Sequence, residues 1–199
     1  NEIYVADSSV TVIDGEDNST TSLPAGGSPK AICVNPNTNM IYVANNTSGD
    51  VTVIDGETKF TGTIDAGWGP WAICVNPNTN MIYVANNNSD SVTVINGEDN
   101  STTTIGAGDG PNDICVNPNT NRIYVANSFS DNVTVIDGET KDVTIVAVGD
   151  DPRAICVNTN TNKIYVANYN DGNVTVINGE DNSTDTVEAE GNPYGIAVN

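Results

Sequence analysis

The chain has 199 residues, and its 26 acidic and 6 basic residues give a formal net charge of −20 with no histidine. This charge repels polyanions, so neither nucleic acids nor anionic membrane surfaces are expected partners. The absence of histidine removes the commonest proton shuttle and metal ligand. No apolar run reaches membrane-spanning length, so membrane insertion is not expected. The start at Asn1, without a signal peptide, predicts a processed or excised domain.

Short motifs recur along the whole chain with a period of 41 residues. Ile-Tyr-Val-Ala begins at Ile3, Ile41, Ile82, Ile123 and Ile164, and Val-Thr-Val-Ile begins at Val10, Val51, Val92, Val133 and Val174. Ile-Cys-Val-Asn begins at Ile32, Ile73, Ile114 and Ile155 and returns as Ile-Ala-Val-Asn at Ile196. The one exception is the first Ile-Tyr-Val-Ala spacing, which is 38 residues. A period of about 40–45 residues is typical of a β-propeller blade.

Each repeat contains four short runs rich in Val, Ile, Thr and Tyr, and none has helical periodicity. We call them strands A (Ile-Cys-Val-Asn), B (Ile-Tyr-Val-Ala), C (Val-Thr-Val-Ile) and D (a Thr-rich run). Asn-Pro-Asn-Thr-Asn separates A from B (residues 158–162 read Asn-Thr-Asn-Thr-Asn instead), and Asp-Gly or Asn-Gly follows C, as expected for hairpins. A β-solenoid is the rival repeat fold, but its coils are usually about half this length.

The order of the chain ends predicts how the array closes. The sequence begins in a strand B and finishes in a strand A. We therefore expect residues 1–199 to form one all-β domain, a five-bladed β-propeller with four antiparallel strands per blade. Its C-terminal strand, residues 193–199, is expected to pair with residues 3–6, which would remove an open sheet edge.

Four cysteines occupy the same place in strand A of successive repeats, and alanine fills it in the fifth: Cys33, Cys74, Cys115, Cys156 and Ala197. A position that takes either residue is expected to be small and buried. Equivalent places on separate blades are too far apart for a disulfide, and no Cys-x-x-Cys pair suggests zinc. Free structural thiols are therefore predicted. The acidic turns after strand C lack the alternating spacing of a calcium loop, so neither metal nor cofactor is expected.

The recurring Tyr-Val-Ala-Asn (at Tyr42, Tyr83, Tyr124 and Tyr165) and Val-Thr-Val-Ile resemble the YVTN β-propeller repeat family of surface-layer and cell-surface proteins. The resemblance covers essentially the whole chain, although Ala replaces Thr in the motif and the family commonly builds seven blades. It implies an extracellular or cell-surface binding or scaffold module. It supplies no catalytic residue, because the shared motif is the scaffold itself.

The links from strand D to strand A vary most between repeats, and in a propeller they lie with the B–C loops around one mouth of the central channel. Aromatic and basic side chains that depart from the repeat collect there. The predicted ligand-binding residues are Trp68, Trp71, Lys30, Asn112, Arg153, Tyr194, Phe129, Tyr169, Asp109 and Asp150. Trp68 and Trp71 would be anchors for a saccharide or peptide, Arg153 and Lys30 charged clamps, and the Asp and Asn side chains hydrogen-bonding groups. The alternative is that the two tryptophans only cover a blade end and the loops have drifted.

Two further functional classes stay open. A glycosidase-like enzyme needs carboxylates from different blades near the axis, for which the candidates are Asp109, Asp113, Asp150, Asp151 and Glu190. Because the chain is acidic everywhere and contains no histidine, we expect no catalysis. A structural or display scaffold without a ligand, either surface-layer-like or engineered, is the other alternative, since the similarity of the repeats suggests recent amplification or an engineered chain. In each case a monomer is expected.

Overall fold

The computed structural model describes residues 2–199, and all regular structure in this part is β-strand. The first sheet contains β1 (Glu2–Ala6), β2 (Val10–Asp14) and β3 (Thr20–Leu23). The second contains β4 (Pro29–Asn35), β5 (Met40–Asn45), β6 (Asp50–Asp55) and β7 (Thr61–Asp65), and the third β8 (Pro70–Asn76), β9 (Met81–Asn86), β10 (Ser91–Asn96) and β11 (Thr102–Gly106). The fourth contains β12 (Pro111–Asn117), β13 (Arg122–Asn127), β14 (Asn132–Asp137) and β15 (Val143–Ala147), and the fifth β16 (Pro152–Asn158), β17 (Lys163–Asn168), β18 (Asn173–Asn178) and β19 (Thr184–Glu188).

Every pairing within these sheets is antiparallel and joins strands that follow one another in the chain. The five repeats are thus five consecutive sheets of a propeller, as the period predicts. Strands β4, β8, β12 and β16 are the A strands, and neighbouring sheets approach one another at these strands. They therefore line the channel, and the D strands lie outermost. No helix in residues 2–199 is long and apolar enough to cross a membrane.

The turns explain why the strands end where they do. Asn39 closes the first Asn-Pro-Asn-Thr-Asn turn with a φ of 55°, a left-handed conformation that Asn tolerates better than most residues. Its backbone oxygen accepts a 2.9 Å hydrogen bond from the amide of Gly56, which follows β6. A Cβ at Gly56 would lie 2.6 Å from atoms of Asn39, so only glycine fits there. The same pairing recurs in the later sheets, for example between Asn80 and Gly97.

The hydrophobic core lies between sheets rather than within one layer. One face of each sheet carries the strand B tyrosine, and it packs against a face of the next sheet that carries isoleucines. Between the third and fourth sheets, Tyr83, Val94 and Ile105 meet Ile123 and Val125. The same arrangement is found between the second and third sheets and between the fourth and fifth. Strands β5, β9 and β13 are consequently buried on both faces.

A buried asparagine ladder also links the sheets. Nδ2 of Asn35 donates a 2.7 Å hydrogen bond to Oδ1 of Asn80 in the next sheet. Asn76 and Asn121 repeat this contact at 2.8 Å, and so do Asn117 and Asn162. The three donors are completely buried, so each amide group needs its partner. The repeated turn sequence therefore fastens one blade to the next.

The predicted closure of the ring is not seen. The first sheet has three strands, β1 pairs only with β2, and residues 193–199 have no strand assigned to them. Ile3 and Val5 of β1 are 52% and 45% exposed, although the equivalent Ile41 and Val43 are fully buried. The closing ladder between residues 193–199 and 3–6 therefore remains a prediction.

Candidate functional site

The mouth is formed by the D–A links (residues 26–30, 67–71, 108–112, 149–153 and 190–194) and the B–C loops. Within a sheet the two are joined by backbone hydrogen bonds, because strands A and B are paired and their ends are adjacent. The amide of Asn88 donates to the oxygen of Trp68 at 3.2 Å, and that of Phe129 donates to the oxygen of Asp109 at 3.1 Å. In the second to fifth sheets the link and the loop are thus joined to each other.

Contacts between sheets hold the mouth together as well. The amide of Gly110 donates to Oδ1 of Asp90 at 2.9 Å, and the amide of Asp151 donates to Oδ1 of Asp131 at 3.0 Å. Asp90 and Asp131 have φ values of 48° and 51°. The sequence analysis did not identify these two residues. The glycines at the same loop position in the second and fifth repeats could have indicated that this position needs a left-handed backbone. These bonds give the mouth a preformed frame for its side chains.

Trp68, Trp71 and Lys30 form the tryptophan cluster on the second and third sheets. Trp68 is 69% exposed and Trp71 is 37% exposed. Nζ of Lys30 lies 5.1 Å from the centroid of the Trp71 ring, which is a cation–π contact. The amide of Trp68 donates to Oγ of Ser89 at 3.1 Å, which fixes the backbone below its ring. The structure thus joins Lys30 to Trp71 and leaves aromatic surface open to solvent.

Arg153, Asp151, Tyr169 and Tyr194 form the arginine cluster on the fifth sheet. The guanidinium donates two 2.8 Å hydrogen bonds, from Nε and one terminal nitrogen, to the two carboxylate oxygens of Asp151. This pair raises the pKa of Arg153, because Asp151 stabilises the charged form. The guanidinium also lies 5.1 Å from the Tyr169 ring centroid, and Tyr169 meets Tyr194 edge to face at 6.2 Å.

The guanidinium of Arg153 is already occupied by a carboxylate of the chain. The sequence predicts a charged clamp for a ligand, but the guanidinium is already paired to a buried carboxylate two residues away. The ion pairs within residues 2–199 are Arg153–Asp151 and Lys59–Glu2. Of the two cations at the mouth, Lys30 is therefore the one that is not paired with a carboxylate.

The remaining predicted site residues are spread along the mouth rather than gathered. Asp109 and Asp150 are exposed on their links, and Oδ1 of Asp150 accepts a 3.2 Å hydrogen bond from Asn170. Asn112 is half-buried at the start of β12. Phe129 is exposed, and its ring lies against the backbone of Gly110, where a Cβ would be 2.5 Å from the ring.

Asp113 is a further carboxylate, on the inner strand β12. Burial raises the pKa of its carboxyl group, although hydrogen bonds from the amides of Ile155 and Ile114 act in the opposite direction. Of the carboxylates considered for catalysis, Asp151 is bound to Arg153, while Asp109, Asp150 and Glu190 lie exposed on the links. Residues 2–199 contain no group of three or more Cys, Asp or Glu side chains arranged to hold a metal ion.

The four cysteines are free, as the repeat pattern predicts, but each is half-buried and not fully buried as expected, because the A strands line the channel. Burial raises the pKa of the Cys33 thiol to about 12, and it raises the pKa values of Cys74 and Cys115 well above the ordinary range. A thiol held in its neutral form is a poor nucleophile and a poor metal ligand. The cysteines therefore act as small apolar side chains beside the channel.

A separate groove of about 480 Å³ lies along the outer strand β7 and the turn before it. Phe60, Gly62, Ile64 and Asn100 are among the residues that line it. An added Cβ at Gly62 would meet nothing within 4 Å. The groove is open because Gly62 replaces the threonine or aspartate of the other repeats. The sequence analysis did not identify this groove.

Comparisons with known proteins agree with this architecture. The family model described as "Lactonase, 7-bladed beta-propeller" matches residues 12–147. No curated protein sequence is significantly similar to the chain.

Among solved structures, the hydrazine synthase of Kuenenia stuttgartiensis is similar with a TM-score of 0.74 and 22% identity, over 87% of this chain and 53% of that one. A functionally unknown protein from Desulfotomaculum acetoxidans DSM 771 has a TM-score of 0.74 and 14% identity, over 90% and 62%. A chain of the nidogen/laminin complex has a TM-score of 0.72 and 14% identity, over 94% and 75%. The chain thus spans about half to three quarters of these neighbours, and at such identities the likeness shows the fold alone.

Proposed function

The chain belongs to the lactonase, 7-bladed β-propeller family, and we propose that it is a non-catalytic recognition module whose mouth binds a saccharide or a peptide. The observation that carries this proposal is the tryptophan cluster. Two large aromatic rings are open to solvent beside Lys30, and no other repeat carries tryptophan at either position. Exposed aromatic surface of this kind has a cost in water that binding can offset.

The chemistry of the cluster suits a ligand with both apolar and polar groups. A tryptophan ring stacks on the apolar face of a sugar or on a peptide side chain, and nearby polar groups fix the orientation. Lys30 adds one cation that a carboxylate of the ligand can approach. The net charge of −20 disfavours extended polyanions. A neutral or singly anionic glycan or peptide is therefore the proposed ligand.

The proposal is tested by screening glycan and peptide arrays with the wild type, a Trp68→Ala/Trp71→Ala variant and a Phe60→Ala variant. Phe60 is the matched control, because it is 75% exposed but follows β6 on the side away from the mouth. We expect the double variant to lose at least about tenfold in affinity, equivalent to about 1.4 kcal/mol, and Phe60→Ala to bind normally. Equal binding by all three proteins would contradict the proposal.

Hydrolysis of a lactone is the second candidate, favoured by the description of the family and by Asp113. A carboxyl group with a raised pKa on a channel wall can serve as a general acid or base. Turnover of a panel of lactones that is lost in Asp113→Asn would establish this function and overturn the non-catalytic proposal.

We further propose that the module is displayed outside the cell, as in surface proteins with the YVTN repeat. The support is the recurring Tyr-Val-Ala-Asn with Val-Thr-Val-Ile across five repeats. If neither the wild type nor either variant bound any ligand on the arrays, the result would favour a structural scaffold without a ligand.

A further inference from the structure

A carboxylate of the second sheet lines the groove beside β7 and has no cation paired with it. Asp55 ends β6, and its partner in the β5–β6 pairing is Met40. Both residues line the groove of about 480 Å³, on the face of the sheet that carries Tyr42 and meets the third sheet. The two ion pairs within residues 2–199 do not include Asp55.

The fourth sheet has aspartate at the same place, and there an arginine lies opposite it. Asp137 takes the place of Asp55, and Arg122 takes the place of Met40. Nη1 of Arg122 donates a 2.7 Å hydrogen bond to the backbone oxygen of Gly179 in the next sheet. The groove at this interface is about 220 Å³, less than half the volume of the groove beside Asp55. The chain thus supplies its own cation here.

The first sheet obtains a cation from its neighbour. Asp14 takes the place of Asp55 and lies opposite Glu2. Lys59 follows Asp55 in the turn of the second sheet, but its Nζ extends to the first sheet and binds the Glu2 carboxylate at 2.5 Å. The ammonium also lies 5.6 Å from the ring centroid of Tyr4. Of the three aspartates at this turn position, Asp55 is therefore the one whose groove receives neither a lysine nor an arginine from the described chain.

The lining of this groove suits a cation on an aliphatic chain. Met40 and Ile64 provide aliphatic surface, and the Phe60 ring beside them is 75% exposed. Gly62 stands where the fourth sheet has Thr144, which leaves the wall of the groove open. Apolar surface for a stem, an aromatic ring and a carboxylate are the groups that contact lysine and arginine side chains in proteins.

The turn keeps the Asp55 carboxylate charged. The amides of Thr58 and Glu57 donate to its Oδ1 at 3.0 and 2.8 Å, and these hydrogen bonds lower the pKa of the carboxyl group. Oδ2 accepts no hydrogen bond from residues 2–199, so it can accept one from a ligand. Asp65 is the second charged residue on the lining.

We propose that the groove between the second and third sheets binds a small organic cation, with an ammonium or guanidinium group at Asp55 and an aliphatic chain along Met40 and Phe60. Lys59 and Arg122 show the two head groups at equivalent interfaces of the same chain. The volume lies within the range of about 300–1,000 Å³ that is usual for small-molecule sites. The net charge of −20 attracts cations. No residue of the tryptophan cluster lines the groove, so this site is additional to the one proposed at the mouth.

The experiment uses n-butylammonium and n-butylguanidinium as probes, because they reproduce the ends of lysine and arginine side chains. The uncharged n-butanol is the matched control for the aliphatic chain. Each is titrated into the 199-residue chain while the amide resonances of residues 60–65 are followed by nuclear magnetic resonance. We expect saturable shifts with both cations and at least about tenfold weaker binding of n-butanol, since the carboxylate contributes to the affinity.

Two variants remove one feature of the groove each and use residues that the chain already carries at the same place. Asp55→Asn keeps the turn, because Asn96 and Asn178 accept the same turn amides in the third and fifth sheets. Gly62→Thr narrows the groove as Thr144 does. We expect each variant to bind n-butylammonium at least about fivefold more weakly. Asp137→Asn is the matched control in the fourth sheet and should bind it normally.

A third variant gives the groove a cation of its own. Met40→Arg reproduces the arrangement of Arg122 opposite Asp137 and should abolish binding of n-butylammonium. Phe60→Ala should weaken this binding and leave a ligand of the mouth unaffected, whereas Trp68→Ala/Trp71→Ala should do the reverse. The two proposed sites can therefore fail or succeed independently.

Three results would overturn the proposal. The first is that neither cation gives saturable shifts in residues 60–65 of the wild type. The second is that n-butanol binds as well as n-butylammonium, which would show an apolar cavity without selection for charge. The third is equal binding by the wild type and Asp55→Asn. If a variant did not fold, the comparison of n-butylammonium with n-butanol on the wild type would still decide.

Discussion

Oδ2 of Asp113 accepts a 2.9 Å hydrogen bond from the backbone amide of Ile155, which belongs to the next inner strand of the channel wall. Its Oδ1 accepts a second 2.9 Å bond from the amide of Ile114. The other repeats carry Ala31, Ala72, Ala154 and Gly195 at this place. One carboxylate therefore joins two blades at a position that the repeat otherwise leaves apolar.

Stability is expected to depend on pH through Asp113. Because burial raises its pKa in the folded state, the folded protein holds this proton more tightly than the unfolded chain. The contribution of Asp113 to stability is then fully present below the unfolded pKa, about 3.9, and is lost as the pH rises through the folded pKa. Asp113→Asn cannot titrate and provides the reference.

Urea denaturation of wild type and Asp113→Asn at several pH values between about 3 and 7 measures this effect. The free energy of unfolding of the wild type minus that of the variant should fall as the pH rises. Since all other carboxylates are common to both proteins, their titration cancels in the difference. A difference that is constant or that rises with pH would show that Asp113 has no raised pKa.

Val43→Asp is expected to unfold the second sheet. Val43 is fully buried between the first and second sheets, and an unpaired carboxylate there costs more than about 3 kcal/mol. Val5→Asp places the same change at the equivalent position of β1, where the side chain is exposed, and should cost less than about 0.5 kcal/mol. Thermal unfolding followed by circular dichroism compares them. A soluble Val43→Asp variant with unchanged Tm would refute the buried interface.

Breaking one rung of the asparagine ladder should weaken the contact between two sheets. Asn76→Ala removes the donor to Asn121 and leaves that acceptor without its partner, at a cost of about 1–3 kcal/mol. Asn158 is the matched control, because its side chain accepts local turn amides at the open end of the array. Asn158→Ala should cost less. Equal losses of unfolding free energy would assign the effect to the turn and not to the ladder.

The cysteines should react slowly and in a definite order. Burial keeps the thiols of Cys33, Cys74 and Cys115 neutral at pH 8, since their pKa values lie far above it. Cys156 lies on β16, the last inner strand in the array. Alkylation followed by mass spectrometry should label Cys156 first and the other three more slowly. Labelling of Cys74 or Cys115 as fast as that of Cys156 would contradict this order.

The period of 41 residues predicted most of the fold, because each strand of the repeat has its own recurring sequence motif. The alternation around Tyr42 and Val43 marks a strand buried on both faces, and the turns that contain Asn39 and Gly56 are dictated by local backbone chemistry. The number of blades in a closed ring cannot be predicted from such local patterns. It depends on the angle between neighbouring sheets, and that angle is set by small differences in packing at every interface.

The candidate site was predictable in outline only. Trp68 and Trp71 stood out because they depart from the repeat, and both are exposed on the mouth. The partners of the two cations were not predictable, because they depend on side-chain positions across neighbouring sheets and loops. Lys30 lies over a ring of the next sheet, and Arg153 is bound by Asp151.

The most direct test of recognition at the mouth uses the tryptophans as their own probe. Trp68 and Trp71 are the two tryptophans of the chain, so its tryptophan emission reports on this surface alone. A glycan or peptide selected on the array is titrated into the wild type and into Lys30→Ala while the emission is recorded. We expect a saturable change in the wild type that is reached at higher ligand concentration in Lys30→Ala. Binding detected by calorimetry without any change in emission would place the ligand elsewhere and contradict recognition at the mouth.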